Sequence, residues 1–159
     1  MPIAYINIGS NMGNRQALIE QAVAHIEFLC GAKCQQSPII ESAPWGFESP
    51  HPFLNIGIAI KTDITPIDLL QELLKIEKSI SAASHRDENG NYIDRQIDID
   101  LIAVDDIVVD SPTLQLPHPR MHLRDFVLTP MMHLNPHWVH PILNQSITHL
   151  HNQLYEKDN

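Results

Sequence analysis

The sequence predicts an α+β fold: a ferredoxin-like βαββαβ core on one mainly antiparallel sheet with helices, plus a C-terminal hairpin strand and further helices. Three observations carry that prediction. Apolar residues alternate over residues 3–9, 53–61 and 97–102, the period of half-buried strands. They recur at helical spacing over residues 15–30 and 66–80. Up to residue 104 the segments run strand, helix, strand, strand, helix, strand, which is the split βαβ order with the two long helices on one face.

In the first strand, residues 3–9, Ile6 and Ile8 take one face and Tyr5 and Asn7 the other. Gly9 to Asn14 is turn chemistry, and Asn14 is placed to cap a helix from Arg15 to about Cys30, whose stripe is Ile19, Val23, Ile26 and Cys30 and which Gly31 ends. A second strand is expected over Ser37 to Ser42, followed by an irregular loop, residues 44–52, with three prolines and two aromatics. In the strand over 53–61, Leu54, Ile56, Ile58 and Ile60 point one way and Phe53, Asn55 and Gly57 the other. Thr65-Pro66-Ile67-Asp68 starts a helix that runs to about Ile80 and buries Leu69, Leu73, Ile76 and Ile80. Glu77 lies just off that stripe near the helix end, where a carboxylate opposes the macrodipole, so it is either solvated or kept for a contact outside the helix.

Residues 81–94 show no apolar period, and a loop of that length inside a compact domain is usually functional or disordered. It leads into Arg95-Gln96-Ile97-Asp98-Ile99-Asp100-Leu101-Ile102. Asp105-Asp106 then turns the chain into a short return strand at 107–109, residues 114–120 are extended, Asp125 to Leu134 is a short helix carrying Pro130, and a last helix covers about Asn144 to Tyr155.

Composition narrows the function. The 159 residues suffice for one domain, 1–159, with 43% hydrophobic and 18% charged residues, an ordinary globular mix. A net charge of -9 argues against a protein that wraps nucleic acid, since that needs a basic surface. Cys30 and Cys34 read as buried thiols rather than a disulfide framework. With neither a charged leader followed by an apolar run nor a stretch of membrane-spanning length, the protein is expected to act in the cytoplasm, away from membranes.

Asp98 and Asp100 share one strand face, about 6.5 to 7 Å apart at Cα. Such a pair can hold hard cations through oxygen and leave positions for phosphates and water, or it can simply be the polar side of a half-exposed strand. Among ten histidines, His133 and His137 have helical spacing, but Asn135-Pro136 breaks the helix that would align them. His149 and His151 read as surface residues. His118 sits between two prolines and precedes Arg120, His122 and Arg124, a position compatible with a role in function.

Four segments together resemble the 6-hydroxymethyl-7,8-dihydropterin pyrophosphokinase family of folate synthesis: residues 4–11; Pro44-Trp45-Gly46 through Phe53-Leu54-Asn55; Arg95 through Leu101; and Leu116-Pro117-His118 through Arg124-Asp125-Phe126. The resemblance implies transfer of pyrophosphate from ATP, as co-substrate, to a pterin hydroxymethyl group with release of AMP, on a ferredoxin-like fold with two magnesium ions. It makes Asp98 and Asp100 the metal ligands, and it places Arg95 and Arg86 with them in the catalytic set. It makes Phe53 and Phe126 plates around the pterin, with Ser42, Ala43, Pro44, Trp45 and Asn55 along its edge. Glu77, Tyr92, Arg95, Leu101, His118 and Arg124 become nucleotide or phosphate contacts, Arg124 serving the pterin side too. Residues 81–94 are expected to close over both substrates, and the protein is expected to be a monomer that works on small molecules alone.

The chain departs from the family pattern in three places: at the loop after Glu77, at Ile93-Asp94 where a Gly-Pro is frequent before the arginine, and at Thr113 where an arginine often precedes the Pro-His. The usual Glu-x-x-x-Gly-Arg-x-Arg is Glu77-Lys78-Ser79-Ile80-Ser81-Ala82-Ala83-Ser84 here, so Arg86 is the expected replacement for an absent loop arginine. The resulting alternative is a pterin- or nucleotide-binding homologue with weakened catalysis.

Overall fold

The computed structural model describes residues 1–42, 52–81 and 97–157. Residues 82–96 and most of the 44–52 loop lie outside them, with the expectations placed on Ala43, Pro44, Trp45, Arg86, Tyr92 and Arg95. Strand β1 (Ile3–Ser10) is followed by α1 (Arg15–Cys30), short strands β2 (Gln35–Gln36) and β3 (Ile40–Ser42), β4 (Phe53–Lys61), α2 (Pro66–Ile80) and β5 (Asp98–Val104). The sheet runs β2-β4-β1-β5, with β3 also on β4, and every ladder is antiparallel. This is the strand order of the ferredoxin-like arrangement.

Parity does what alternation requires. Ile6, Ile8, Ile56, Ile58, Ile60, Ile99 and Leu101 face α1 and α2, where they meet Ile19, Ile26, Leu69 and Leu73 in one apolar cluster. α1 starts where Asn14 Oδ1 accepts from Ala17 N at 3.2 Å and ends at Gly31, whose φ of 65° is left-handed. α2 buries the four residues its period names, but Thr65 caps it through its backbone alone: Thr65 O accepts from Leu69 N at 2.8 Å and the hydroxyl makes no cap bond. Cys30 and Cys34 are half-buried thiols beside this core, and burial pushes both pKa values up, that of Cys34 to about 11.

The expected second strand, Ser37 to Ser42, pairs only over Ile40–Ser42, and Gln35–Gln36 pairs ahead of it. Ser37 leaves the ladder to bond Gly57 twice, Ser37 N to Gly57 O at 2.9 Å and Gly57 N to Ser37 Oγ at 2.8 Å, and Pro38 has no N–H to continue pairing.

The other face of the sheet is also covered, by the C-terminal helices, whose placement the sequence left open. α3 (Asp125–Leu134) has the bounds its sequence predicts, and α4 (Ile147–Lys157) starts later than expected, because Asn144 takes a left-handed φ of 56° and Ser146 pairs with Val139 before its hydroxyl caps His149 N. Both helices pack with Tyr5, Ile102, Ala103, Met121 and Trp138 in a second cluster. His151 is drawn into that packing: it lies 3.1 Å from Thr129 Oγ1 and edge-on to Tyr155.

The return strand after β5 does not pair with β5. It is β6 (Val109–Asp110), which forms a separate hairpin with β7 (Gln115–Leu116), followed by a cis Leu116-Pro117 bond. The chain leaves β5 at Asp105, whose backbone N and carboxylate tie back to Ile3 and whose carbonyl accepts from Trp138 Nε1.

Candidate active site

The site lies on the α3 side of the sheet, where the second parity of β4, β1 and β5 meets. Two rows cross those strands: Asn55, Gly9 and Asp98, then Gly57, Asn7 and Asp100. The glycines make room. A Cβ at Gly9 would sit 2.8 Å from Asn55 Oδ1 and 3.2 Å from Phe53 Cδ1, so the amide and the ring both lean over that position. A Cβ at Gly57 would meet Pro130 at 2.7 Å, so α3 rests directly on the strand there. Asn55 is buried, and its Nδ2 donates to Ser42 Oγ at 2.6 Å. Ser42, Phe53 and Asn55 thus stand together, and α3 packs across β3 and β4 with Phe126 in its first turn.

Asp98 and Asp100 stand half-exposed on the same face, beside the open edge of the sheet. An edge strand leaves backbone groups unpaired, and two distant segments satisfy them here. Glu77 Oε2 accepts from Ile99 N at 2.9 Å, and His118 N donates to Ile102 O at 2.7 Å. A bulge prepares the second contact: Tyr5 pairs with Ala103 but Ile6 with Leu101, leaving Ile102 as the extra residue. Glu77 therefore does have its contact outside the helix, and that contact holds the strand of the two aspartates.

His118 is deprotonated at neutral pH, since burial and then Arg124 and Arg120 pull its pKa down to about 4. Its Nδ1 accepts from Arg120 N at 3.2 Å, so the ring hydrogen is on Nε2 and remains available as a donor. Arg124 approaches Asp100 Oδ2 at 3.9 Å, with its side chain only 14% exposed. Burial lowers its pKa, against the opposing pull of Asp100, and its guanidinium carbon lies 5.6 Å from the Phe126 ring centroid. Glu77, Asp98, Asp100, Leu101 and His118 line one cleft of ≈ 540 Å³, whose far wall is the β6–β7 hairpin, with Leu70 and Leu74 supplying an apolar side.

The family described as 7,8-dihydro-6-hydroxymethylpterin-pyrophosphokinase matches residues 5–136, the span that holds this whole arrangement. The chain belongs to that family. Among relatives of this pyrophosphokinase family, the 2-amino-4-hydroxy-6-hydroxymethyldihydropteridine pyrophosphokinase of Porphyromonas gingivalis is 40% identical over 142 residues, covering 89% of this chain and 95% of the relative. The protein of the same name from Aquifex aeolicus is 35% identical over 148 residues, covering 92% and 89%. Among solved structures, the wild-type Plasmodium falciparum HPPK-DHPS with pteroate superposes with a TM-score of 0.71 at 15% identity, over 98% of this chain and 43% of that one, a likeness of fold.

Of the residues expected in the site, Glu77, Asp98, Asp100, Leu101 and His118 share the cleft, Arg124 reaches Asp100, and Ser42, Phe53 and Asn55 cluster two strands away. Sequence reasoning missed two contributions. The segment Ser111 to Gln115 walls the cleft; the family resemblance marked only Thr113 in it, and no local pattern marks the rest, because it gets there by pairing within its own hairpin. Asn7 was assigned to the face opposite Ile6 and Ile8 but given no role. Its shared parity with Asp98 and Asn55, after pairing, was the available signal.

Proposed function

We infer that this protein transfers pyrophosphate from ATP to the hydroxymethyl group of 6-hydroxymethyl-7,8-dihydropterin, releasing AMP, a step of folate synthesis. Family membership and the two full-length relatives support the reaction. The observation that carries the site assignment is the pair Asp98 and Asp100, on one face of one cleft with Glu77 and His118. In the reaction the hydroxymethyl oxygen attacks the β-phosphorus, the bond from that phosphorus to the oxygen bridging α and β breaks, AMP leaves with that oxygen, and the hydroxyl proton is released.

The donor set suits magnesium, which takes one or two carboxylates and fills its remaining positions with phosphate oxygens and water. Asp98 and Asp100 would hold two such ions, and the ions would neutralise charge on the triphosphate as it shifts toward AMP. The chain's own groups do the positioning. His118, neutral, donates through Nε2 to a phosphate or sugar oxygen without adding charge. Arg124 brings a fixed cation to the phosphate side of Asp100. Phe53 and Phe126 stack against the pterin, and Asn55 and Ser42, already bonded to one another, offer amide and hydroxyl to its edge. Ala43, Pro44, Trp45, Arg86, Tyr92 and Arg95 keep the roles that the sequence resemblance gives them. We further take the protein to act as a monomer in the cytoplasm on small molecules alone, which sedimentation and fractionation test.

Purified protein given ATP, magnesium and hydroxymethyl-dihydropterin should release AMP stoichiometrically with the pterin diphosphate, and calorimetry should show pterin binding. Absence of both sinks the reading. The departure at Ala82-Ala83-Ser84 favours a second one, a binding homologue of weakened catalysis, which pterin binding without AMP release would select.

A further inference from the structure

Asn7 is 5% exposed, and its Oδ1 has no hydrogen-bond partner among the described residues. A buried carbonyl left in that state costs about 1–3 kcal/mol, so a donor that arrives later is the natural explanation. The position says where the donor comes from. Asn7 is paired with Gly57 on one side and Asp100 on the other, and all three are on the α3 face. The Gly57 side is closed by Pro130 Cβ and Leu134 Cδ1, and Ser37 Oγ, 3.7 Å from the same position, already donates to Pro38 O. Directly across β1, cross-strand neighbours have Cβ atoms about 4.5–5.5 Å apart, so the amide stands beside the Asp100 carboxylate. Ionised, that carboxylate only accepts, and an amide oxygen only accepts. Two acceptors side by side are satisfied together by a hydrated cation, whose metal binds the carboxylate and whose water donates to the carbonyl.

We propose that Asn7 is a positioning residue of the cation site: its Oδ1 accepts a hydrogen bond from a water in the shell of the divalent ion that Asp100 holds. The proposal rests on the reading of Asp100 as a metal ligand. It separates Asn7 from an ordinary buried amide, which would already be bonded in the free protein and would lose stability on removal. It also gives β1, whose other parity is pure core, a part in orienting the ion.

The test compares Asn7→Ala, Asn7→Asp and Asp100→Asn with the wild type. Manganese serves as the probe, titrated by electron paramagnetic resonance in the presence of α,β-methylene-ATP, and the melting midpoint is taken without metal or nucleotide. Asn7→Ala should weaken manganese binding about tenfold, within the range known for outer-shell partners, and leave the metal-free midpoint unchanged or raised. Asn7→Asp keeps an acceptor oxygen and adds charge, so it should bind manganese at least as tightly as wild type. Unchanged manganese affinity in Asn7→Ala, with clear weakening in Asp100→Asn, overturns the proposal and leaves the site reading standing. Unchanged affinity in Asp100→Asn removes the site reading and the proposal with it. A lowered metal-free midpoint in Asn7→Ala with unchanged manganese binding assigns Asn7 to the fold and also overturns the proposal. Should Asn7→Ala not fold, loss of manganese binding in a folded Asn7→Asp counts against it equally.

Discussion

The two faces of the sheet use the same strands for opposite purposes. Toward α1 and α2, β1, β4 and β5 present Ile6, Ile8, Ile56, Ile58, Ile60, Ile99 and Leu101, and the cluster they form is apolar throughout. Toward α3 the same strands present Asn7, Gly9, Phe53, Asn55, Gly57, Asp98 and Asp100 at one end, beside the smaller apolar cluster that Tyr5, Ile102 and Ala103 form with α3 and α4 at the other. A strand alternates its side chains, so one short stretch can spend one parity on burial and the other on chemistry. The contrast shows that stability and ligand binding can be perturbed separately here, residue by residue along one strand.

The sharpest break comes from the chemical parity. Asp98→Ala should lower turnover on the order of 10²- to 10³-fold, the scale of losing an electrostatic stabiliser, while a half-exposed carboxylate should change stability by less than about 1 kcal/mol. AMP release and a denaturant melt read the two effects side by side. A loss of stability as large as the loss of activity would erase the distinction between the faces.

Ile58→Ala is the mirror experiment. Ile58 is fully buried between β-strand neighbours and the α1/α2 cluster, so truncation should cost about 2–5 kcal/mol. Protein that remains folded should bind pterin and nucleotide with wild-type affinity, which calorimetry below the shifted melting range checks.

Glu77 joins the two faces, because it stands on a core-facing helix and bonds the strand of the aspartates. Glu77→Ala leaves Ile99 N without its charged acceptor and should cost about 1.5–3 kcal/mol, with nucleotide affinity falling as β5 loses its edge support. Glu77→Gln, which keeps an acceptor, should recover most of the stability; equal damage in both variants would show that the charge rather than the hydrogen bond is what matters.

The smallest effect is one of pH. His118 is held at a pKa of about 4, below its ordinary 6.5, chiefly by burial. Between those values the unfolded chain takes up a proton that the native chain refuses, so stability is full above about pH 6.5 and declines as the pH falls toward 4. Burial lowers the pKa of His140 as well and adds in the same direction. His118→Gln should make the slope of melting midpoint against pH shallower over that window, and an unchanged slope would place the burden on other groups. The apolar cluster of the opposite face contributes no slope of its own.

Much of this was legible from local pattern. The α1 cap at Asn14, the buried stripe Leu69, Leu73, Ile76 and Ile80, the limits of α3 and the parity of β4 all follow from side-chain period and end signals within a few residues. The strand-borne Asp98 and Asp100 were visible for the same reason, and so was the resemblance that links them to Phe53, Asn55 and His118. Where long-range pairing intervened, local pattern misled or fell silent. It ran the second strand over Ser37 to Ser42 where only Ile40–Ser42 pairs, put the return strand at 107–109, began α4 too early and left open what covers the second face of the sheet.

The sequence by itself determined which side chains share a face, because period is a property of neighbours in the chain. Tertiary structure alone decided what those faces meet: Glu77 and Ile99 are 22 residues apart and bond across the edge of the sheet. It likewise aimed the Ile102 carbonyl at His118 through a one-residue bulge and set Asn7 against Asp100 through a ladder between the first and the last core strand. Alternation marks parity but carries no register, and register is what turned two aspartates on a strand into a site with a cleft, a capped edge and the Asn7 amide beside it.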